Sequence, residues 1–127
     1  MKYILDTHTM LWFIEGSDKL TLKARNEILD NNNQKYMSIA SVWEIAIKMS
    51  IGKLTFNGGY SALLNLIKQN GFEFIPIENI HINGIISLPF IHKDPFDRLL
   101  IATAKSEELT IITVDENIRK YDVDCIW

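Results

Sequence analysis

Short apolar or β-branched runs alternate with helical segments from one end of the chain to the other. Tyr3-Ile4-Leu5 predicts a strand, and Thr7 to Ile14, closed by Gly16, predicts a helix. Leu20, Leu22, Ala24, Ile28 and Leu29 give a rough helical stripe with Lys and Arg on the other side, and that helix stops in the loop-like run Asp30-Asn31-Asn32-Asn33. Tyr36 to Ile39 predicts a second strand. Ser41 to Ile51, ended by Gly52, is an apolar helix so poor in charge that it is expected to be buried. Gly58-Gly59 separate it from a helix over Ser61 to Gln69, which Gly71 closes. Phe72 to Ile77 alternates as a strand until Pro76 ends it. Ile80 to Leu88 is a weaker helical segment and Pro95 to Leu109 a strong one. Thr110 to Val114 is a compact β-branched strand, and Val123 to Trp127 adds a last short one. Four or five strands separated by helices require parallel pairing with right-handed crossovers. The expected fold is therefore α/β, three layers (α/β/α) around a central, mainly parallel sheet.

The length of 127 residues fits one domain, expected over residues 1–127 with no repeat or linker. Apolar residues at 47% and charged residues at 23% exclude intrinsic disorder. No apolar stretch approaches the ~20 residues of a membrane span. Asp6 stands where a secretory signal would still be apolar, and the lone Cys125 permits no internal disulfide, so a cytoplasmic protein is expected. Thirteen basic against sixteen acidic residues give a net charge of -3. That balance argues against holding nucleic acid by bulk positive charge, but not against a site in which acids gather around a metal.

In an open parallel sheet, ligands collect outside the carboxyl ends of the strands. Asp6 follows the first predicted strand directly and Asp115 follows Val114. Asp94 and Asp97 flank the start of the strongest helix, and Glu44 is the only acid in the helix Ser41 to Ile51. Each has an ordinary structural explanation. Asp6 and Asp115 fit helix N-caps. Asp94 fits one too, because Pro95 then falls at the first helical position, and Asp97 would face the helix dipole. Glu44 has Lys48 one turn on, a pairing worth roughly 0.2–0.5 kcal/mol at a surface.

Taken together the acids point further. A carboxylate among Val42, Trp43, Ile45, Ala46 and Ile47 is costly unless paired or bound to a cation. If Asp6, Glu44, Asp97 and Asp115 converge, each pair ~5 Å apart repels by about 3 kcal/mol at an effective dielectric of about 20. A divalent cation removes that conflict, and hard oxygen ligands favour Mg²⁺ or Mn²⁺ over zinc. Such a site suits phosphoryl chemistry, with no Ser or His nucleophile required.

Ile4-Leu5-Asp6-Thr7-His8, Ser41-Val42-Trp43-Glu44-Ile45, Asp94-Pro95-Phe96-Asp97-Arg98-Leu99-Leu100-Ile101-Ala102 and Thr113-Val114-Asp115 resemble the PIN domain family, in its order and spacing. More narrowly, they resemble the VapC-type ribonuclease toxins of type II toxin–antitoxin pairs. The resemblance implies a parallel sheet with helices on both sides and hydrolysis of RNA with Mg²⁺ or Mn²⁺. It implies that Asp6, Glu44 and Asp97 organise the metal, with Asp115 as a more variable fourth acid. Thr7 and Thr113 are then placed to orient a carboxylate or a water. The resemblance further implies a homodimer held inactive by a cognate antitoxin, with Asp94 remaining a helix cap rather than a ligand.

Arg98 could touch a phosphate or pair with a neighbouring acid. Lys48 and Lys53 are the basic candidates for RNA backbone contact, with solvated lysines as the alternative. His8 and His92 could meet substrate or be ordinary hydrogen-bonded histidines, and nothing is assigned to His81. Trp12, Phe13 and Trp43 could stack bases or belong to the core, and Trp12, Phe13 and the helix Leu63 to Ile67 could form a dimer or antitoxin surface. A response-regulator receiver would need an acidic pair after the first strand and an Asp after the third. A haloacid-dehalogenase-like phosphatase would need Asp-x-Asp where Asp6-Thr7-His8 stands. The stronger rival is a catalytically silent PIN fold that acts by binding a protein or RNA partner.

Overall fold

The computed structural model describes residues 1–127. Five parallel strands form the central sheet: β1 (Lys2–Leu5), β2 (Gln34–Ser38), β3 (Glu73–Ile75), β4 (Thr110–Ile112) and β5 (Cys125–Ile126). Their spatial order is β3-β2-β1-β4-β5, with Ile4 opposite both Tyr36 and Ile111. Seven helices flank them: α1 (Thr7–Glu15), α2 (Leu22–Leu29), α3 (Ile39–Ser50), α4 (Gly59–Gln69), α5 (Asn79–Ile86), α6 (Pro95–Glu107) and α7 (Glu116–Arg119).

The period of two in the strands divides the core into two layers. Tyr3, Leu5, Met37 and Ile112 point to one face and pack with residues of α1 to α4, among them Met10, Ile28, Ile45, Leu63 and Ile67. Ile4 and Ile111 point to the other face and pack with Leu100, Ile101 and Ala104 of α6 and Ile118 of α7. The architecture is the three-layer α/β/α arrangement. No helix is long and apolar enough to cross a membrane.

Three local results differ from the sequence pattern. Ile39 opens α3 instead of ending β2, because the Ser38 hydroxyl accepts a hydrogen bond from the Ala40 amide at 3.1 Å and caps the helix there. The four-residue helix α7 is too short for periodicity to reveal. The third is that α3 is buried along only part of its surface. Val42 and Ile45 face the core, but Ile39 and Trp43, one turn apart on its outer side, are 39% and 58% exposed, as is Ile51 just past its end at 58%.

The chain order across the sheet reverses between β1 and β4, since β1 leads on to β2 on one side and borders β4 on the other. At such a switch point, the connections leaving the two strands diverge to opposite faces and open a crevice at the carboxyl ends.

Candidate metal centre

Asp6 and Asp115 stand on the two connections that leave this crevice. Asp6 is buried and caps α1, its Oδ1 accepting from the Thr9 amide at 2.8 Å. Its other oxygen accepts from the hydroxyl of Thr113, itself fully buried at the end of β4. Asp115 caps α7 through Oδ1, which accepts from the Asn117 amide at 2.8 Å, and its own amide donates to Thr113 Oγ1 at 3.0 Å. Thr113 thus ties the two connections together. The capping and ligand readings of these acids are compatible, because a cap occupies one carboxylate oxygen and fixes the direction of the other.

Glu44 reaches the same end of the sheet from α3. Its Oε1 accepts from Thr7 Oγ1 at 2.7 Å, one residue beyond Asp6, and its Oε2 lies 3.3 Å from Lys48 Nζ. Asp97 comes from α6 on the opposite face. Asp94 Oδ1 accepts from the Phe96 and Asp97 amides at 2.8 and 3.1 Å, which starts α6 and sets Asp97 in its first turn. Helices α3 and α6 meet at this edge, with the Trp43 and Phe96 rings 5.3 Å apart. Burial, then the charges of Asp94 and Asp115, push the Asp97 carboxyl up to about 7; a hydrogen bond with His92 pulls the other way, and Glu44 adds a smaller upward push.

The closest grouping of potential ligands is His92, Asp94 and Asp97, whose donor atoms all lie within 4.8 Å of one another. His92 Nε2 is 3.1 Å from Asp97 Oδ2, while its amide donates to the Tyr121 hydroxyl at 2.9 Å. Asp6, Glu44, Asp97 and Asp115 share one end of the sheet without three of them packing that tightly, so six repulsions at ~5 Å overstate the cost of the site. His92 is the residue the sequence pattern undervalued. Its signal was the spacing His92-Lys93-Asp94-Pro95-Phe96-Asp97, in which a capped helix start folds the segment back on itself.

Two expectations are corrected. Arg98 touches neither an acid nor the crevice. It is 8% exposed, and its guanidinium donates to Pro89 O at 3.0 Å, Ile85 O at 3.2 Å and the Tyr121 hydroxyl at 3.0 Å. One helical position after Asp97 points inward, so Arg98 anchors the segment between α5 and α6 and is not placed to meet a phosphate. Phe13, Leu63 and Ile67 are core residues, not a docking surface. Trp12 is half-buried against Trp127, with ring centroids 5.9 Å apart. His81 is fully buried; its Nδ1 accepts from the Glu78 amide at 3.2 Å and its Nε2 lies 2.9 Å from Glu107 Oε1, at the start of α5 and away from the acids. His8 is exposed, as is Lys53.

The PIN domain family model matches residues 3–124, and the chain belongs to that family. PIN domains are generally nucleases, and they generally use a divalent metal. None of the curated proteins matches the chain. Among solved structures it resembles a chain of VapBC2 from Rickettsia felis bound to a DNA fragment from their promoter. The TM-score there is 0.74, with 18% identity over 99% of this chain and 98% of that one. It also resembles a chain of VapBC-1 from nontypeable Haemophilus influenzae, at TM-score 0.68 and 17% identity over 99% and 97% of the two chains. A third likeness is to FitAcB from Neisseria gonorrhoeae, at TM-score 0.68 and 18% identity over 98% and 96%. At these identities the likeness is one of fold.

The donor set fits a hard divalent ion. His92 apart, the side chains facing one another here are carboxylates, with no thiolate among them, and Asp97 is raised by burial and then by neighbouring negative charges that a cation would offset.

Proposed function

We propose that residues 1–127 form one PIN domain acting as a metal-dependent endoribonuclease, the toxin of a toxin–antitoxin pair. What supports this reading is the set of carboxylates toward one end of the sheet: Asp97 is raised by burial and then by the charges of Asp94, Asp115 and Glu44, and Asp6 shares Thr113 with the Asp115 amide. Asp6, Glu44, Asp97 and Asp115 would hold Mg²⁺ or Mn²⁺. When bound, such an ion lowers the pKa of a water and offsets charge on a phosphodiester in its transition state.

The chain's own residues supply orientation. Thr113 holds Asp6 and the amide of Asp115. Thr7 and Lys48 grip opposite oxygens of Glu44. Asp94 fixes the start of α6, so that Asp97 is presented from a rigid first turn. Lys48 is thereby a partner of Glu44 before it is a contact for RNA. The kinship in fold with VapBC and FitAcB chains supports an antitoxin partner, and the reading is completed by a homodimer in the cytoplasm.

The silent-module reading draws on the same Lys48, whose ammonium already neutralises Glu44 without any metal. Cleavage of total RNA by the purified protein separates the two. The nuclease reading expects fragments with Mg²⁺ or Mn²⁺, none with chelator and none from Asp6→Asn. Intact RNA under every metal condition would favour the silent module.

A further inference from the structure

We propose that Trp43 and Phe96 form a stacking platform for a base of single-stranded RNA held beside the acids, an inference that rests on the nuclease reading above. Val42 and Ile45 hold α3 to the core, so Trp43 is not needed there and leaves 58% of its surface exposed. Its ring meets Phe96 at 5.3 Å and 68°. That edge-to-face pairing braces the indole while most of its surface stays open to solvent. The two rings adjoin Glu44 and Asp97 in sequence and come from helices on opposite sides of the sheet that meet at the crevice.

The charge distribution gives the platform its purpose. Lys48 is engaged by Glu44, Arg98 is spent on backbone carbonyls, and the whole chain carries a net charge of -3. With those two groups engaged, the cations left for a phosphodiester chain are exposed ones such as Lys53, Lys93, Arg119 and Lys120. Uncharged contact adds to what they and a metal supply, and aromatic stacking is the form of it that every base can use. A protein helix lying along Ile39, Trp43 and Ile51 is the competing occupant. The position of Phe96, on another helix and next to Asp97, favours the base.

The test is the binding of a fluorescein-labelled oligoadenylate, followed by anisotropy in chelator at low salt, together with KM and kcat on an RNA the wild type cuts. Trp43→Ala is expected to weaken binding by roughly fivefold to a hundredfold and to raise KM far more than it lowers kcat. Trp43→Phe should recover most of the loss. An abasic ribose-phosphate oligomer should bind wild type and Trp43→Ala equally. Equal oligoadenylate binding by wild type and Trp43→Ala, or no binding by either, overturns the platform. So does a Trp43→Ala effect confined to sedimentation, which would assign the face to a protein. Because binding is read in chelator, a wild type that binds oligoadenylate through Trp43 yet cuts no RNA would sink the nuclease reading and leave the platform standing.

Discussion

At the amino end of the sheet, the Glu27 carboxylate takes hydrogen bonds from the Tyr3 hydroxyl and the Asn33 side-chain amide, each at 2.9 Å. Lys35 donates to Asn70 O at 2.7 Å and sits 4.9 Å from the Phe72 ring centre, covering the end of α4. Each charged group there meets a partner of suitable polarity. At the carboxyl end, Asp97 faces Asp94, Asp115 and Glu44, all of its own sign, and is raised to about 7 as a result of burial and these neighbours. Burial alone therefore does not mark the functional end, since both ends bury ionisable groups. What separates them is like charge only partly offset, by His92 at Asp97 and by Lys48 at Glu44, an arrangement a fold keeps where an ion or a substrate completes it.

The comparison is broken most sharply by neutralising an acid at the carboxyl end. Asp6→Asn and Asp97→Asn are each expected to lower metal-dependent RNA cleavage by more than about a hundredfold, while circular dichroism and thermal melting show an intact fold. Thr113→Val removes the clamp on Asp6 and the acceptor of the Asp115 amide, and should cost roughly 10–100-fold in cleavage or metal affinity together with about 1–3 kcal/mol of stability.

Arg98→Ala acts through stability instead. It removes the guanidinium's hydrogen bonds to the Ile85 and Pro89 carbonyls and the Tyr121 hydroxyl, which keep only their bonds from the Leu88, Ile91 and His92 amides, and it empties a buried position, for about 2–4 kcal/mol in urea denaturation. At the amino end, Tyr3→Phe should cost only about 1 kcal/mol and leave cleavage untouched, since Asn33 still serves Glu27.

A further effect is the pH dependence of the metal-free protein. The Asp97 carboxyl is raised from 3.8 to about 7, so between those values the folded chain holds a proton that the unfolded chain has released. Its contribution is fully present below about pH 4 and is lost as pH rises to about 7, so the melting temperature in chelator should fall across that window. Asp97→Asn should flatten the slope, and a wild-type melting temperature that climbs through this range would contradict it.

The sequence exposes what is local. Asp6 after an apolar run, Asp94-Pro95 before a long stripe and Asp115 after a β-branched run each announce a strand end or a capped helix within a few residues. Parallel pairing follows from the helices between the strands. The burial of Arg98 was illegible, because its acceptors at positions 85, 89 and 121 come together only in three dimensions. The outer face of α3 was misread for a related reason. Trp43 and Ile39 look like core material, and only the placement of α6 decides which side of the helix is covered. His92 needed the folded-back turn before Asp97 to become a neighbour of that acid.

Titrating Mn²⁺ at pH 7.5 while following thermal unfolding puts the acid cluster to its most direct test. The melting temperature of the wild type should climb with metal by several degrees, as linkage to a folded-state site requires, and those of Asp6→Asn and Asp97→Asn should stay nearly level. No shift in the wild type, or the same shift in all three proteins, would contradict a cation site built from these acids.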